Sequence, residues 1–287
     1  MVGHAMSTTP APALVSTQWV ADNLHSGVFS LFDASHHLPN SGRSAREEYE
    51  QRHIVGAAFF DIDDVSDHAS ELPHMLPSAE VFASKVGMLG VGDDDHVVIY
   101  DTVGTTGAAR VWWTFRALGH DRVSVMDGGL PKWIAEGRAM TSQAPTLTPK
   151  EKTARAEHSL VRSREDIIAN IGSGAEQVVD ARSVGRFTAV EPEPRAGMRS
   201  GHIPGSKNVP YPQVLNENRT FKSPDEVRAA FEGAGVDLLR PIVTTCGSGV
   251  TASSLALALF NAGIENVAVY DGSWSEWGGR ADTPIDT

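Results

Sequence analysis

Two halves of this 287-residue chain carry the same sequence pattern, and this duplication limits the possible folds more than any other feature. Four blocks recur in the same order at a spacing of about 147 residues, which is typical of a repeated domain. The paired blocks are Leu31–Ser35 with Val178–Arg182, His53–Ala57 with His202–Ser206, Val97–Asp101 with Ile242–Cys246, and Asp127–Trp133 with Asp271–Trp277. Each half alternates short apolar strands with helical segments, and this alternation predicts a parallel α/β sheet in each half.

Composition predicts where the two halves meet. Residues 141–150 contain two prolines and three threonines without a strong apolar pattern, which indicates a linker. We predict an N-terminal domain at residues 1–140, a linker at 141–157 and a C-terminal domain at 158–287. The clearest helical patterns within these domains are Val111–Leu118, Pro224–Glu232 and Ala252–Ala262.

Charge and cysteine content exclude several classes of protein. The net charge is −12, from 36 acidic and 24 basic residues, which disfavours nucleic acid and anionic membranes as partners. A single cysteine, Cys246, cannot form an intrachain disulfide. No apolar run approaches the roughly 18 residues of a membrane span, and the first residues lack the basic start and apolar core of a secretory signal. We therefore expect a cytoplasmic protein.

The run from Cys246 to Thr251 is the strongest chemical motif. A β-branched stretch, Ile242–Thr245, precedes it, and an apolar stretch ending at Gly263 follows, so the pattern predicts strand, tight loop and helix. The glycines at 247 and 249 allow backbone N–H groups to turn inward, and the helix N-terminus adds partial positive charge. Both effects favour the thiolate, which is the nucleophilic form of cysteine. A lone cysteine is otherwise most often an inert buried side chain.

The duplicated blocks, the two His-Ile-x-Gly motifs and the Cys-Gly-Ser-Gly-Val-Thr loop resemble the tandem rhodanese-type sulfurtransferases, over nearly the whole chain. The resemblance implies two tandem rhodanese-like α/β domains, of which the C-terminal one is catalytic. It implies transfer of sulfur from 3-mercaptopyruvate through a Cys246 persulfide, with release of pyruvate and no cofactor or metal. The implied acceptor is a small thiol, thioredoxin or cyanide.

The same resemblance assigns roles to individual residues. Arg186 and Arg195 correspond to the arginines that hold the substrate carboxylate, a role suited to forked guanidinium donors. Ser248 corresponds to a serine proposed to act with His74 and Asp63 on the substrate carbonyl or the departing enolate. The remaining loop residues would complete the substrate-binding ring: Gly247, Gly249, Val250 and Thr251.

Three alternatives remain open from the sequence. Thiosulfate sulfurtransferases share the fold, but they carry basic residues after the cysteine where this chain has Gly247 and Ser248. A cysteine-dependent phosphatase would need an arginine closing the loop, and none occurs before Phe260. A non-enzymatic persulfide carrier is the third. In the first half Asp101 replaces the cysteine, and we expect its charge to oppose an anionic substrate.

Overall fold

The computed structural model describes residues 11–38 and 41–287, so the first ten residues, for which we expected no secretory signal, lie outside the described part. The strands of the first half are β1 (Leu14–Val15), β2 (Ser30–Asp33), β3 (His53–Ile54), β4 (Ala58–Phe59), β5 (Val97–Tyr100), β6 (Val123–Met126) and β7 (Met140–Thr141). Five of them form a parallel sheet in the order β1-β6-β5-β2-β4. The other two, β3 and β7, pair antiparallel beside it.

The second half repeats this topology. Its strands are β8 (Val161–Arg162), β9 (Gln177–Asp180), β10 (Lys207–Asn208), β11 (Ile242–Thr245) and β12 (Val267–Tyr270). They form a parallel sheet in the order β10-β9-β11-β12-β8, which is the first sheet's order read from its other edge. Even the β3–β7 pair has a counterpart, because His202 bridges antiparallel to Asp286 near the end of the chain. The predicted duplication into two parallel α/β sheets is confirmed.

Ten α-helices surround the described strands. They are α1 (Thr17–Asn23), α2 (Ala45–Gln51), α3 (Ala79–Met88), α4 (Thr106–Ala117), α5 (Gly129–Ala135), α6 (Arg164–Ser173), α7 (Val184–Phe187), α8 (Pro224–Gly233), α9 (Val250–Asn261) and α10 (Ser273–Trp277). Helix α9 begins two residues earlier than the apolar pattern predicts, because the left-handed Gly249 directly precedes it and completes the turn. The loop around Cys246 is therefore shorter than expected.

Helices α4 and α9 pack against each other and join the two halves into one core. Both are buried along almost their whole length, as expected for helices that are apolar on most sides. The ring of Trp112 lies 5.5 Å from that of Phe260, and the Ser254 hydroxyl donates to the Thr105 carbonyl at 3.2 Å. These helices start at equivalent loops, after β5 and β11, so their packing brings the two loops to one region.

The segment predicted as a linker is attached to the first half at several points. Lys150 donates its backbone N–H to Gly87 O at 2.9 Å and its ammonium to Asp95 at 2.7 Å. The hydroxyl of Thr153 donates to Asp93 at 2.5 Å. Its polar composition therefore reflects an extended surface path. In the described part of the chain, no helix combines the length and apolar character needed to cross a membrane.

Candidate active site

Cys246 lies at the carboxyl end of β11, the edge of a parallel sheet where ligands bind in such folds. The residue is 2% exposed, and its thiol is free of any disulfide. Its backbone N–H donates to Ser273 Oγ at 3.2 Å, and its carbonyl accepts from the Trp274 N–H at 2.9 Å. The backbone is thus fixed from both sides at the start of the loop.

The loop turns at Gly249, which has a φ of +78°. A Cβ atom at this position would lie 2.7 Å from Arg110 Nη1 and 3.0 Å from the Asp271 carbonyl oxygen. Both the conformation and the lack of space therefore require glycine here. Val250 follows immediately as the first residue of α9.

The loop leaves a set of backbone donors unpaired. Within residues 11–38 and 41–287, the backbone N–H groups of residues 247–251 donate to no other group of the protein. They stand at the N-terminus of the twelve-residue helix α9, where the helix dipole adds partial positive charge. Successive free N–H groups at a helix N-terminus are suited to bind an anion. The loop can therefore stabilise negative charge on sulfur.

In the equivalent loop of the first half, backbone N–H groups donate to the side chain of Asp101. One carboxylate oxygen of Asp101 accepts from the backbone N–H groups of Val103, at 2.8 Å, and Gly104, while the other accepts from Ala108 at 2.9 Å. Asp101 is fully buried, and this burial raises the pKa of its carboxyl group. Asp101 thus occupies the donors that an anionic substrate would need, and the expectation that its charge opposes such a substrate stays a prediction.

Arg186 lies over the loop and is held there by a buried chain of charges. Its Nη2 would be 3.1 Å from a Cβ atom on Gly247. Glu193 accepts from Arg186 Nε at 3.1 Å and from Nη2 at 2.5 Å, and it also accepts from Arg182 Nη1 at 2.7 Å. Arg182 in turn pairs with Asp180 at the end of β9. The buried Glu193 and Arg182 hold one side of the Arg186 guanidinium in place. Its other side remains partly exposed to solvent.

Arg195 reaches the same loop through a serine. Its Nη1 donates to Ser275 Oγ, and that hydroxyl donates to the Gly247 carbonyl at 2.6 Å. Burial lowers the pKa of Arg195, while the nearby Cys246 acts in the opposite direction. The structure therefore brings both predicted substrate arginines to the cysteine loop.

Asp63 and His74 form the first part of the predicted relay. The Nδ1 atom of His74 lies 2.6 Å from Asp63 Oδ1, and this hydrogen bond holds the pKa of the Asp63 carboxyl below its usual value. Among the described residues, Ser248 makes no hydrogen bond with His74, so the predicted three-residue relay is not closed. The His74 carbonyl accepts from Arg110, whose guanidinium also lies against Gly249. One guanidinium thus contacts both the His74 segment and the cysteine loop.

His36 belongs to the same cluster, although it lies in none of the motifs recognised in the sequence. Its ring meets that of His74 edge-on, with 4.5 Å between centroids, and its Nε2 lies 3.9 Å from Asp63 Oδ2. Burial, together with the charge of His74, lowers the pKa of His36 to about 4, so the ring is neutral near pH 7. Its position three residues after β2, at the carboxyl edge of a parallel sheet, was the available signal.

A buried ion pair ties the His74 segment to the second half. Arg110 Nη1 lies 2.7 Å from Asp271 Oδ1, and both side chains are almost fully buried. The other oxygen of Asp271 accepts from the Leu76 backbone N–H at 2.7 Å. Arg110 and Leu76 come from the first half and Asp271 from the second, so this pair fixes the two halves beside the cysteine loop.

We expect Asp271→Asn to lower the free energy of unfolding by about 3 kcal/mol, because it leaves the buried Arg110 without a counter-charge. Asparagine keeps an oxygen that can accept from the Leu76 N–H, so the loss of stability measures mainly the removal of the negative charge. Urea unfolding followed by circular dichroism measures it. Asp282→Asn is the matched control, because Asp282 pairs with Arg280 at the surface and should change stability little. Equal effects of the two substitutions would contradict the assigned role of Asp271.

The fold and the site together define a class: duplicated α/β domains in which one of two equivalent loops carries a cysteine. A family model described as "Rhodanese-like domain" matches residues 16–136 and 163–280. The chain therefore belongs to the rhodanese-like family and contains two copies of its domain. The family and fold predicted from the sequence are confirmed.

Curated relatives match almost end to end. A protein of Rattus norvegicus named 3-mercaptopyruvate sulfurtransferase is 50% identical over 275 residues, covering 94% of this chain and 93% of its own. A thiosulfate sulfurtransferase of Cricetulus griseus is 46% identical over 272 residues, covering 92% and 91%. Among solved structures, SseA of Escherichia coli, described as a 3-mercaptopyruvate sulfotransferase, has a TM-score of 0.83 at 38% identity and covers 92% of this chain and 99% of its own.

Proposed function

We propose that this chain is a 3-mercaptopyruvate sulfurtransferase, which transfers sulfur through a Cys246 persulfide to an acceptor and releases pyruvate. One observation carries the proposal: the unpaired backbone donors of residues 247–251 beside Cys246, at a loop whose counterpart is filled by Asp101. The identity of about 50% to the rat enzyme supports the same donor. The alternative is that thiosulfate is the main donor, which is favoured by the similarity to the relative from Cricetulus griseus that is named thiosulfate sulfurtransferase.

The proposed reaction has two sulfur-transfer steps. The Cys246 thiolate attacks the sulfur of 3-mercaptopyruvate, the carbon–sulfur bond breaks, and its electron pair leaves on pyruvate as the enolate. The enolate takes a proton and becomes pyruvate, while Cys246 carries the persulfide. The loop N–H groups stabilise the anionic persulfide as an oxyanion hole stabilises an oxyanion. An acceptor thiol then removes the outer sulfur and restores the thiolate.

The arginines and the relay act on the organic part of the donor. Arg186 and Arg195 hold the carboxylate, because each presents forked donors beside the loop. The Asp63–His74 pair, acting through Ser248, polarises the carbonyl or supplies the enolate proton. This last contact is open in the structure, so the proposal requires that it forms only when the substrate is bound.

The acceptor and the compartment belong to the proposal as well. A small thiol, thioredoxin or cyanide would receive the sulfur, since each offers a nucleophile to the persulfide. The cytoplasm is the proposed compartment, because a reducing environment keeps a lone catalytic cysteine in its thiol form.

The direct test is steady-state release of pyruvate from 3-mercaptopyruvate with an excess of acceptor thiol, beside thiocyanate formation from thiosulfate and cyanide. We expect repeated turnovers, and a larger kcat/KM for 3-mercaptopyruvate than for thiosulfate. A single turnover that stops after one sulfur has been transferred to each chain would favour the alternative of a non-enzymatic persulfide carrier. A larger kcat/KM for thiosulfate would favour the alternative donor.

We expect the double variant Gly247→Arg/Ser248→Lys to gain thiosulfate activity and to lose mercaptopyruvate activity. Two cations would then stand beside Cys246, where the second negative charge of thiosulfate needs a partner. The new side chain at 247 would also displace the Arg186 guanidinium, which lies against this position. The ratio of kcat/KM for the two donors measures the change.

The matched control for this loop variant is Gly247→Gln/Ser248→Met, which adds side chains of similar length without charge. It should lose mercaptopyruvate activity without gaining thiosulfate activity. If the uncharged variant gained as much kcat/KM for thiosulfate as the charged one, loop charge would not determine donor choice.

A further inference from the structure

The cluster of His36, Asp63 and His74 has the composition of a transition-metal site. One ring nitrogen of each histidine and one carboxylate oxygen lie within 4.8 Å of one another. Two imidazoles and one carboxylate form a common ligand set for Zn²⁺, and such three-residue sets leave a coordination position open. From this geometry we propose that these three residues form a binding site for Zn²⁺, at which the ion inhibits the enzyme.

The distances fit zinc after a small adjustment. Ligand atoms about 2.1 Å from a tetrahedral zinc ion lie roughly 3.4 Å apart. Asp63 Oδ1 lies 2.6 Å from His74 Nδ1, and Asp63 Oδ2 lies 3.9 Å from His36 Nε2, so the first separation must lengthen and the second must shorten to reach the zinc value. Rotation of the Asp63 side chain, which is 66% exposed, supplies this movement and gives the ion a path from solvent.

The surroundings decide between metal classes and limit affinity. Two nitrogen ligands favour zinc over magnesium or calcium, which prefer all-oxygen sites. Arg195 contributes positive charge to both Asp63 and His36, so it opposes a bound cation. We therefore expect weaker binding than at a closed four-residue zinc site, and we expect binding to be reversible by a chelator.

Zinc at this cluster would stop the proposed reaction. The ion would occupy Asp63 and His74, and it would thereby separate the pair assigned to the substrate carbonyl. This inhibitory consequence rests on the proposed function, whereas binding of the ion does not. Because His36 touches the ring of His74, binding of zinc is measured separately from activity, and inhibition of each variant is compared with its own rate without zinc.

The binding experiment uses isothermal titration calorimetry of the full chain with zinc chloride alone. We expect one zinc per chain in the wild type, and at least about tenfold weaker binding in His36→Phe, because loss of even an outer partner of a metal site costs 10- to 100-fold. Phenylalanine keeps the edge-on ring contact with His74. His37→Phe is the matched control, because His37 pairs with Glu48 outside the cluster. His36→Gln replaces the first variant if that one unfolds.

Two further measurements decide the interpretation. Cys246→Ser should still bind zinc; loss of binding in this variant and retention in His36→Phe would place the ion on the thiol and overturn the site. Zinc should inhibit pyruvate release by the wild type and by His37→Phe, while inhibition of His36→Phe, expressed relative to its own rate without zinc, should need at least about tenfold more zinc. Binding that is unchanged in His36→Phe, or no saturable binding in the wild type, would overturn the proposal whatever the activity assay shows.

Discussion

Replacing Cys246 by serine is expected to abolish sulfur transfer from 3-mercaptopyruvate and to leave the fold intact. A serine hydroxyl is a much weaker acid than a thiol, and its oxygen cannot form the persulfide that the proposed cycle requires. The substitution changes one buried atom, and the backbone bonds of residue 246 to Ser273 and Trp274 do not involve the sulfur. Pyruvate release measures the loss, and the thermal unfolding midpoint checks the fold.

Mass spectrometry provides the second readout for this variant. The wild type, incubated with donor and without acceptor, should gain about 32 Da, the mass of one sulfur, as expected for a persulfide. Because the chain has one cysteine, the serine variant should gain nothing. Turnover by the serine variant at a rate near that of the wild type would remove Cys246 from the mechanism.

Replacing Arg186 or Arg195 by alanine is expected to lower kcat/KM for 3-mercaptopyruvate roughly 30- to 5,000-fold. This factor corresponds to a loss of about 2–5 kcal/mol of transition-state stabilisation. Each guanidinium stands at the cysteine loop, one against Gly247 and the other on Ser275. Each is also partly buried, so the contact with a carboxylate is strengthened by the lower local dielectric.

Steady-state kinetics with both donors test these arginines. Thiosulfate has no carboxylate, so its kcat/KM should fall less than that of 3-mercaptopyruvate in either variant. Arg280→Ala serves as the control, because it removes an exposed arginine that pairs with Asp282. Equal losses for both donors would show that the arginines support the loop in general and do not recognise the carboxylate.

The duplicated pattern predicted the sheets because strand and helix periodicity are local properties that sequence displays directly. Cys246 was found for the same reason, since a β-branched strand, two glycines and an apolar helix identify its loop. Arg186 and Arg195 came from motif resemblance, and the structure places both at that loop. These residues lie close in sequence to recognisable elements.

Residues whose roles depend on long-range packing were missed. Arg110 sits within an apolar helical pattern, and only the approach of Asp271 from the other half explains a buried charge there. Glu193 resembles any surface acid until its contacts with Arg182 and Arg186 are seen. The distance between His74 and Ser248 depends on how the halves dock, which no local pattern encodes.

The ion pair between Arg110 and Asp271 also limits how this chain could have evolved after its duplication. Once each copy buried one charge of the pair, neither could be lost or separated without leaving the other charge stranded in a dry interface. The half that carries Asp101 in place of the cysteine supplies the guanidinium that lies against Gly249 in the loop of the other half. Loss of either charge would therefore reach the cysteine loop as well as the interface between the halves.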